Sequence, residues 1–359
     1  MEIKAILKGI VEEGASDVFL IAGRPVSFKL GGRIKTLNDD PLLPVKTNAL
    51  ISEIYELAPN RKIECLLEKG DDDFAFAIPD VSRFRVNVYK QRGSLAAVIR
   101  VVSFSLPDPE KLNIPPAVLD LADRAQGLIL FAGPAESGKT TTLACLIDRI
   151  NSTREGHIIT LENPIEYLHR HKRSLVSQRE ISLDTESYRA ALQAALRQSP
   201  NVILTGEIRD AETVSVALTA AETGHLVIST ISAVGAANAV DRLIGAFPDA
   251  RHERIGAQLS LSLQAIVSQQ LIPTLDDTVA PVFQLMLCNN EIRNLLREGE
   301  SNRINQTVAA CTDEGMISMD AAILRLYKDG RISAQNALTR SIDPDSMARQ
   351  VNSSDKIYF

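Results

Sequence analysis

The first hundred residues carry apolar side chains in a pattern whose period changes along the chain. The opening segment repeats them at helical spacing, which predicts an amphipathic helix with a face of Ile3, Ile6, Leu7 and Ile10. Short runs of strand type follow at residues 17–21, 26–30, 73–78, 84–89 and 96–102. Residues 47–56 have a helical pattern, and Gly31 with Gly32 suits a tight hairpin between strands. The pattern predicts a small α/β domain over residues 1–105.

From residue 117 the pattern changes to short, continuous apolar runs that are separated by helical patterns. These runs cover residues 128–132, 158–161, 202–204 and 226–228. Continuous apolar strands alternating with helices are typical of a parallel sheet that is covered on both faces. The helix after the first run shows a clear apolar stripe of Leu143, Leu146, Ile147 and Ile150. We therefore expect a second α/β domain over residues 117–288, joined to the first by a proline-rich linker over residues 106–116.

The remaining residues, 289–359, predict a helical region. Helical patterns cover Asn290–Glu298 and residues 318–329 and 333–340. Near this region, only residues 281–285 suggest one more strand.

Composition narrows the possible functions. The chain has 359 residues, which is long enough for two domains, and a net charge of −6 gives no general attraction to nucleic acid. Its four cysteines lie far apart and fit no zinc spacing, so we interpret them as reduced thiols of a cytoplasmic protein. The start does not read as a signal peptide, and no run approaches the roughly 18 apolar residues of a membrane span. We therefore expect any membrane association to be peripheral, through a partner.

Residues 133–140, GPAESGKT, match the phosphate-binding Walker A pattern between an apolar strand and an amphipathic helix. In such a loop, glycines allow backbone N–H groups to surround a phosphate, and the N-terminus of the following helix adds its positive dipole end. Lys139 is expected to bridge the β- and γ-phosphates, and the Thr140 hydroxyl to bind Mg²⁺. The sequence thus predicts a site for ATP and Mg²⁺ at Gly133, Ser137, Gly138, Lys139, Thr140 and Thr141.

Polar residues stand at the carboxyl ends of the other predicted strands, which is where ligands bind in open α/β sheets. These residues are Glu162, Glu207 and Thr230. Two carboxylates at that edge suit ATP hydrolysis, one near Mg²⁺ and one to orient or deprotonate water. Either glutamate alone is more often a solvated loop acid, but the pair beside a Walker A loop favours the functional interpretation.

Four further stretches carry a resemblance to one family: IITLENPIEY at 158–167, TGEIRD at 205–210, AAETGHLV at 220–227 and EIRNLLRE at 291–298. They are similar to the Asp box, the atypical Walker B, the His box and a C-terminal motif of the GspE/PilT secretion ATPase superfamily. SRFRVN at 82–87 fits as well, so the resemblance covers nearly the whole chain. Within the superfamily, the chain resembles the PilT-like motors that retract type IV pili.

This resemblance implies a PAS-like N-terminal domain and a RecA-like P-loop ATPase domain with a helical tail. It also implies a homo-hexamer that binds ATP at subunit interfaces, with Glu162 as general base and Glu207 acting through Mg²⁺. His225 is implied as a further catalytic residue, although it could also be a satisfied core histidine after the helix C-cap at Gly224. Arg85 and Arg100, with Arg83 as another candidate, are implied as arginine fingers, although arginines on amphipathic strands often only face water.

By the same resemblance, the protein would work in the cytoplasm at the inner face of the cytoplasmic membrane. There it would act on an inner-membrane platform protein of the pilus and power twitching motility. Pilus assembly and type II secretion ATPases usually carry another N-terminal domain and a four-cysteine zinc insert, so the sequence favours retraction over these alternatives. A small-molecule kinase is disfavoured because nothing resembles an acceptor-binding lid.

The chain departs from the family pattern at Asn163, Ser199 and Asn201, where aspartates are usual, and at Ser232, where the His box usually has a second histidine. A serine is shorter and cannot become cationic near neutral pH. These departures lead to the alternative hypothesis of a slow ATPase or a weakly hydrolysing regulatory paralogue of the retraction motor.

Overall fold

The computed structural model describes residues 2–58, 61–102 and 106–355. Residues 103–105, where the first predicted domain ends, and the last residues of the predicted tail lie outside the described residues. The chain divides into two units. The first consists of Met1–Leu106 with Ile165–Leu168, and the second of Pro107–Pro164 with His169–Phe359.

The first unit has an antiparallel sheet. Its elements are α1 (Ile3–Glu12), β1 (Asp17–Leu20), β2 (Ser27–Leu30), β3 (Arg33–Thr36), α2 (Pro44–Glu56), α3 (Glu64–Lys69), β4 (Asp71–Ile78), β5 (Ser82–Gln91) and β6 (Ser94–Val102). The strand order is β3-β2-β1-β6-β5-β4. Leu30 pairs with Arg33 around a two-residue turn, so the predicted hairpin at Gly31 and Gly32 is confirmed.

One face of this sheet forms the core of the first unit. The predicted apolar face of α1 is buried, with Ile3, Ile6, Leu7 and Ile10 at most 3% exposed. Along β5, buried Phe84, Val86 and Val88 alternate with partly exposed residues that include Arg83 and Arg85. Alternation of this kind puts the arginines on the face opposite the core.

The second unit has a larger, mostly parallel sheet. Its strands are β7 (Gly127–Ala132), β8 (His157–Glu162), β9 (Leu175–Glu180), β10 (Val202–Glu207), β11 (Leu226–Ile231), β12 (Leu263–Pro273) and β13 (Val279–Leu287). Their order is β13-β12-β7-β11-β10-β8-β9. Every neighbouring pair in this sheet is parallel except β12 with β13. The predicted parallel sheet and the α/β fold class are therefore confirmed.

Helices cover both faces of this sheet. They are α4 (Pro116–Leu119), α5 (Lys139–Thr153), α6 (Tyr188–Ala195), α7 (Ala211–Glu222), α8 (Ala236–Ile244) and α9 (His252–Ser262). The predicted stripe of α5 is buried against one face, while α6, α7, α8 and α9 contribute to a separate core on the other. Two strands that sequence analysis missed, β9 and β12, complete the sheet beyond β8 and β7.

The C-terminal residues are helical, as predicted. The α-helices are α10 (Asn290–Glu298), α11 (Ile304–Ala310), α12 (Met319–Lys328), α13 (Ala334–Arg340) and α14 (Pro344–Asp355). Short 3-10 helices lie at Asp120–Asp123, Asp249–Arg251, Ser301–Arg303 and Thr312–Glu314. Across the described residues, none of the helices has the length and apolar character needed to cross a bilayer.

Candidate functional site

The Walker A loop connects the buried strand β7 to helix α5 and packs tightly on β12. Gly133 and Gly138 have φ angles of 152° and 86°. A Cβ atom on Gly133 would lie 2.4 Å from the Gln269 carbonyl oxygen, and one on Gly138 would lie 2.8 Å from Gln269 Nε2. Gln269 also accepts a hydrogen bond of 2.9 Å from the Thr142 hydroxyl on α5. Gln269, which sequence analysis missed, therefore supports both the loop and the helix that follows it.

The Lys139 ammonium is held over this loop. Its Nζ donates to the carbonyl oxygens of Gly133 and Pro134, at 2.9 and 2.6 Å, and contacts the Ser137 hydroxyl at 3.3 Å. Burial lowers the pKa of Lys139, while the charge of Glu207 acts in the opposite direction. The loop thus has a fixed positive charge, together with the first N–H groups of α5, at the end of β7.

Strand order brings the predicted carboxylates to the same edge as the loop. Moving away from β7, the next strands are β11, β10 and β8, and all four are parallel. Glu207 is the last residue of β10 and Glu162 is the last residue of β8. Since carboxyl ends of parallel strands meet at one edge, Lys139, Glu207 and Glu162 lie along it in that order.

The Glu162 carboxylate has a defined orientation. Its Oε1 accepts hydrogen bonds from the Thr160 hydroxyl at 2.6 Å and from Gln178 Nε2 at 3.0 Å. Thr160 is fully buried two residues earlier on the same face of β8, and Gln178 lies on the neighbouring strand β9. Two donors from separate positions orient this carboxylate more firmly than a solvated loop acid.

Glu207 is bound on both oxygens. Ser232 donates to Oε1 at 2.6 Å, while Arg209 donates to Oε2 from Nε at 2.8 Å and from its Nη2 atom at 2.6 Å. Burial alone would raise the pKa of Glu207, but the hydrogen bonds from Ser232 and Arg209 hold it below its ordinary value. Glu207 is therefore an anion at neutral pH. Ser232, which sequence analysis treated only as a missing histidine, directly contacts this carboxylate.

A cavity of about 250 Å³ opens beside the loop. It is lined by Gly138, Thr141 and Thr142 from the start of α5, together with apolar side chains that include Leu112, Ile114, Leu271 and Phe283. An apolar cavity next to a phosphate loop suits a flat heteroaromatic ring. Its lining residues come from segments far apart in the chain, and none was predicted apart from Gly138 and Thr141.

The structure does not bring His225 to this edge. His225 precedes β11, so it lies at the amino end of that strand, roughly 20 Å from the carboxyl end at 3.3 Å per residue. Its Nδ1 contacts the Ala220 carbonyl oxygen at 3.0 Å. Within its own chain, His225 has the contacts of a satisfied histidine after a helix C-cap, and its catalytic role stays a prediction.

The predicted arginine fingers lie in the first unit. Arg85 on β5 and Arg100 on β6 are directly opposite cross-strand partners. Arg100 Nε donates to Asp17 Oδ1 at 3.0 Å, and its side chain remains 70% exposed. Asp17 pairs with Arg100 on one side and with Lys29 of β2 on the other. Three cations and one carboxylate therefore stand side by side across these four strands: Arg85, Arg100, Asp17 and Lys29.

Besides Ser232, two more departures from the family pattern have visible roles in the second unit. Asn201 Oδ1 accepts a hydrogen bond from the backbone N–H of His157 at 2.8 Å, at the amino ends of β10 and β8. Ser199 has a φ angle of 51°, in the tight connection before β10. Both residues therefore lie at the edge of the sheet that is remote from Lys139, where they shape a turn.

Comparison with known proteins identifies similar chains. A family model described as Type II/IV secretion system protein matches residues 1–335. Two Pseudomonas aeruginosa proteins are each 37% identical to this chain. The type IV pilus ATPase PilU matches over 342 residues, which are 95% of this chain and 89% of that protein. The type IV pilus retraction ATPase PilT matches over 346 residues, which are 96% of this chain and 100% of that protein. A solved structure of the pilus retraction motor PilT with bound ADP superposes with a TM-score of 0.84 at 42% identity, covering 97% of this chain and 99% of that one.

Proposed function

The chain belongs to the Type II/IV secretion system protein family, and on that premise we propose that it is an ATPase motor for retraction of type IV pili. The main support for this proposal is that the Walker A loop with Lys139, and the carboxylates of Glu207 and Glu162, lie along one edge of the sheet. The chain is also similar along its length to a retraction ATPase. Nucleotide binding is supported further by the likeness to an ADP-bound motor.

The geometry supports a division of roles within the site. The loop N–H groups and Lys139 bind the β- and γ-phosphates, and the neighbouring apolar cavity takes the base. The Glu162 carboxylate, oriented by Thr160 and Gln178, accepts a proton from the attacking water. The new bond joins the water oxygen to the γ-phosphorus while the bond from that phosphorus to the bridging oxygen breaks, giving ADP and phosphate.

Thr140 and Glu207 are the proposed residues for Mg²⁺. Among the described residues, no group of three or more His, Cys, Asp or Glu could hold a metal by itself. That suits Mg²⁺ carried by a nucleotide, which usually uses one or two protein ligands with phosphate oxygens and water. When bound, Mg²⁺ would neutralise charge on the β- and γ-phosphates. Glu207 fits this position because its pKa is lowered and its carboxylate stays charged.

We further propose a homo-hexamer in which Arg85 and Arg100 of one subunit meet the γ-phosphate bound by the next. Like charges directly opposite each other on a sheet are unfavourable, and Asp17 offsets only one of them. An anion between the two guanidinium groups would relieve that repulsion, and the fork geometry of arginine matches phosphate oxygens. The proposed working place is the inner face of the cytoplasmic membrane, on a platform protein of the pilus.

Deletion of the gene tests retraction against assembly. We expect the deletion strain to lose twitching motility and to carry excess surface pili, since assembly would continue without retraction. Electron microscopy of surface pili and a stab assay for twitching are the measurements. The wild-type gene should reverse both effects, whereas a Glu207→Ala gene should not. A deletion strain without pili would instead favour an assembly or secretion ATPase.

A second candidate is a weakly hydrolysing paralogue that regulates a main motor. It is favoured by Ser232, which stands where the His box usually has a second histidine. Equal phosphate-release rates near background for the wild type and Glu207→Ala would support it. Identical rates would mean that the Glu207 site performs little turnover in this chain.

The Ser232→Ala variant tests whether Ser232 supports Glu207 during turnover. Because the serine hydroxyl donates at 2.6 Å to an ionised carboxylate, we expect its loss to lower kcat by about threefold to tenfold. The measurement is steady-state phosphate release at saturating ATP, with Ser346→Ala, a partly exposed serine on α14, as control. A kcat equal to that of the wild type would mean that Ser232 does not support Glu207 during turnover.

A further inference from the structure

Tyr188 lies at the candidate site although no motif includes it. It is the first residue of α6, and Ser187 caps this helix by accepting a hydrogen bond from the Ala190 N–H at 3.2 Å. The cap fixes where the helix begins and therefore the direction in which the first side chain leaves it. The phenol of Tyr188 is partly buried against the core beneath α6 and α7.

The Tyr188 ring occupies the space beside Gly206. A Cβ atom on Gly206 would lie 2.2 Å from the phenol oxygen, 2.6 Å from Cζ and 2.8 Å from Cε1. Real side chains do not approach so closely, so position 206 must be glycine while the ring stays in place. The pair explains on steric grounds why a glycine precedes Glu207 in this chain.

Gly206 is also the point where the sheet edge is irregular. Thr205 pairs with Ser229 but Glu207 pairs with Thr230, so one extra residue is accommodated at Gly206. A bulge of this type changes the direction of the side chain that follows it. The ring of Tyr188 packs on this bulge, directly before the carboxylate of Glu207.

The same position places the phenol next to Glu162. Thr205 pairs with Leu161 on β8, and the residues that follow them are Gly206 and Glu162. A group seated against Gly206 therefore stands between the strand ends that carry the two carboxylates. The strongest charges acting on the phenol are those of Glu162, Arg209 and Glu207.

Burial, followed by the charge of Glu162, raises the pKa of Tyr188 to about 12. The hydroxyl therefore keeps its proton at any pH at which the protein works. A neutral phenol can donate a hydrogen bond without adding a third negative charge to this edge.

We propose that Tyr188 is a positioning residue of the hydrolytic site, which holds the bulge at Gly206 with its ring and places a hydrogen-bond donor between the Glu162 and Glu207 carboxylates. This inference rests on the proposed ATPase function. The ring keeps Glu207 directed toward the Walker A loop. The hydroxyl stabilises the charged form of the carboxylate that accepts the proton from water.

The Tyr188→Phe variant tests the hydroxyl. It keeps the ring, so we expect KM for ATP to stay within about twofold while kcat falls about tenfold, as for the loss of one hydrogen bond. Loss of the hydroxyl donor should raise the pKa of the Glu162 carboxylate. The acid limb of the kcat–pH profile should therefore move to higher pH. Tyr327→Phe, on α12 in the cluster of the C-terminal helices, is the matched control. A kcat and pH profile equal to those of the wild type would overturn the role of the hydroxyl.

The Gly206→Ala variant tests the ring. The added methyl group would displace the phenol, so we expect at least a tenfold loss of kcat with nucleotide binding retained. The same clash should lower the thermal midpoint of the Gly206→Ala protein. Adding Tyr188→Leu removes the clashing ring atoms, so the double variant should regain the thermal midpoint but not kcat. Full recovery of kcat in the double variant would show that the ring only fills space and would overturn its positioning role.

Both tests begin with the wild-type protein and Lys139→Ala as the blank. Wild-type phosphate release above the blank establishes the ATPase function, after which the Tyr188 variants report on Tyr188 alone. Wild-type release equal to the blank would contradict the proposed function itself, and with it the inference that depends on it.

Discussion

We expect the Lys139→Ala variant to lose ATP hydrolysis, with steady-state phosphate release reduced at least about a hundredfold, to the level of buffer. The removal of one preorganised charged donor typically costs this much in kcat. Among the described residues, Lys139 is the cation that binds the carbonyl oxygens of Gly133 and Pro134, so no second side chain can take over its contacts with the loop. Affinity for ATP should also weaken, measured by titration with a fluorescent ATP analogue.

Lys8→Ala is a suitable control because Lys8 is an exposed lysine on α1 and far from the loop in sequence. It should hydrolyse ATP at the wild-type rate and have the same thermal midpoint. A Lys139→Ala protein that stays folded and releases phosphate at more than a tenth of the wild-type rate would contradict the assignment of the phosphate site.

The second large effect is expected for Glu162→Gln. Glutamine keeps the shape of the side chain and can still pair with Thr160 or Gln178, but it cannot take a proton from water. Loss of a general base typically lowers the rate by about 10²–10⁴-fold. We therefore expect kcat to fall by this factor, while the affinity for ATP stays within about threefold.

Single-turnover phosphate release and ATP binding should be measured on the same preparation of Glu162→Gln. Glu222→Gln, at the opposite edge of the sheet at the end of α7, is the control and should behave as the wild type. If Glu162→Gln retained most of its turnover while Glu207→Gln lost it, the roles of the two glutamates would have to be exchanged.

Much of the fold could be predicted because the relevant signals are local. The strand β7 is a continuous apolar run, and α5 shows its stripe over about two turns. The loop between them has its glycines and lysine in eight consecutive residues. The strand β9 was missed because it is an edge strand with polar residues on both faces, such as Ser177 on one and Gln178 on the other. The strand β12 was missed because it follows α9 directly and contains three polar, buried residues, Ser268, Gln269 and Gln270.

The site was predictable only in part. Glu162 and Glu207 could be placed at one edge because each ends an apolar run, and parallel strands share their carboxyl ends. For His225, the motif was found, but its position at the start of β11 puts it at the other edge. A motif shows which residues occur together in sequence, while the direction of the strand decides at which end of the sheet each one lies.

The sequence by itself determined the phosphate loop with Lys139 and the class of fold, because backbone geometry and apolar periodicity depend on residues a few positions apart. Only the tertiary structure decided which side chains meet across strands. Ser232 reaches Glu207, Tyr188 covers Gly206 and Gln269 supports the loop, each across 18 or more positions in the chain. These contacts follow from the strand order β12-β7-β11-β10-β8, which no local pattern encodes. Strand order is set by the packing of the whole sheet between its helices, so these partners become visible only once that packing is known.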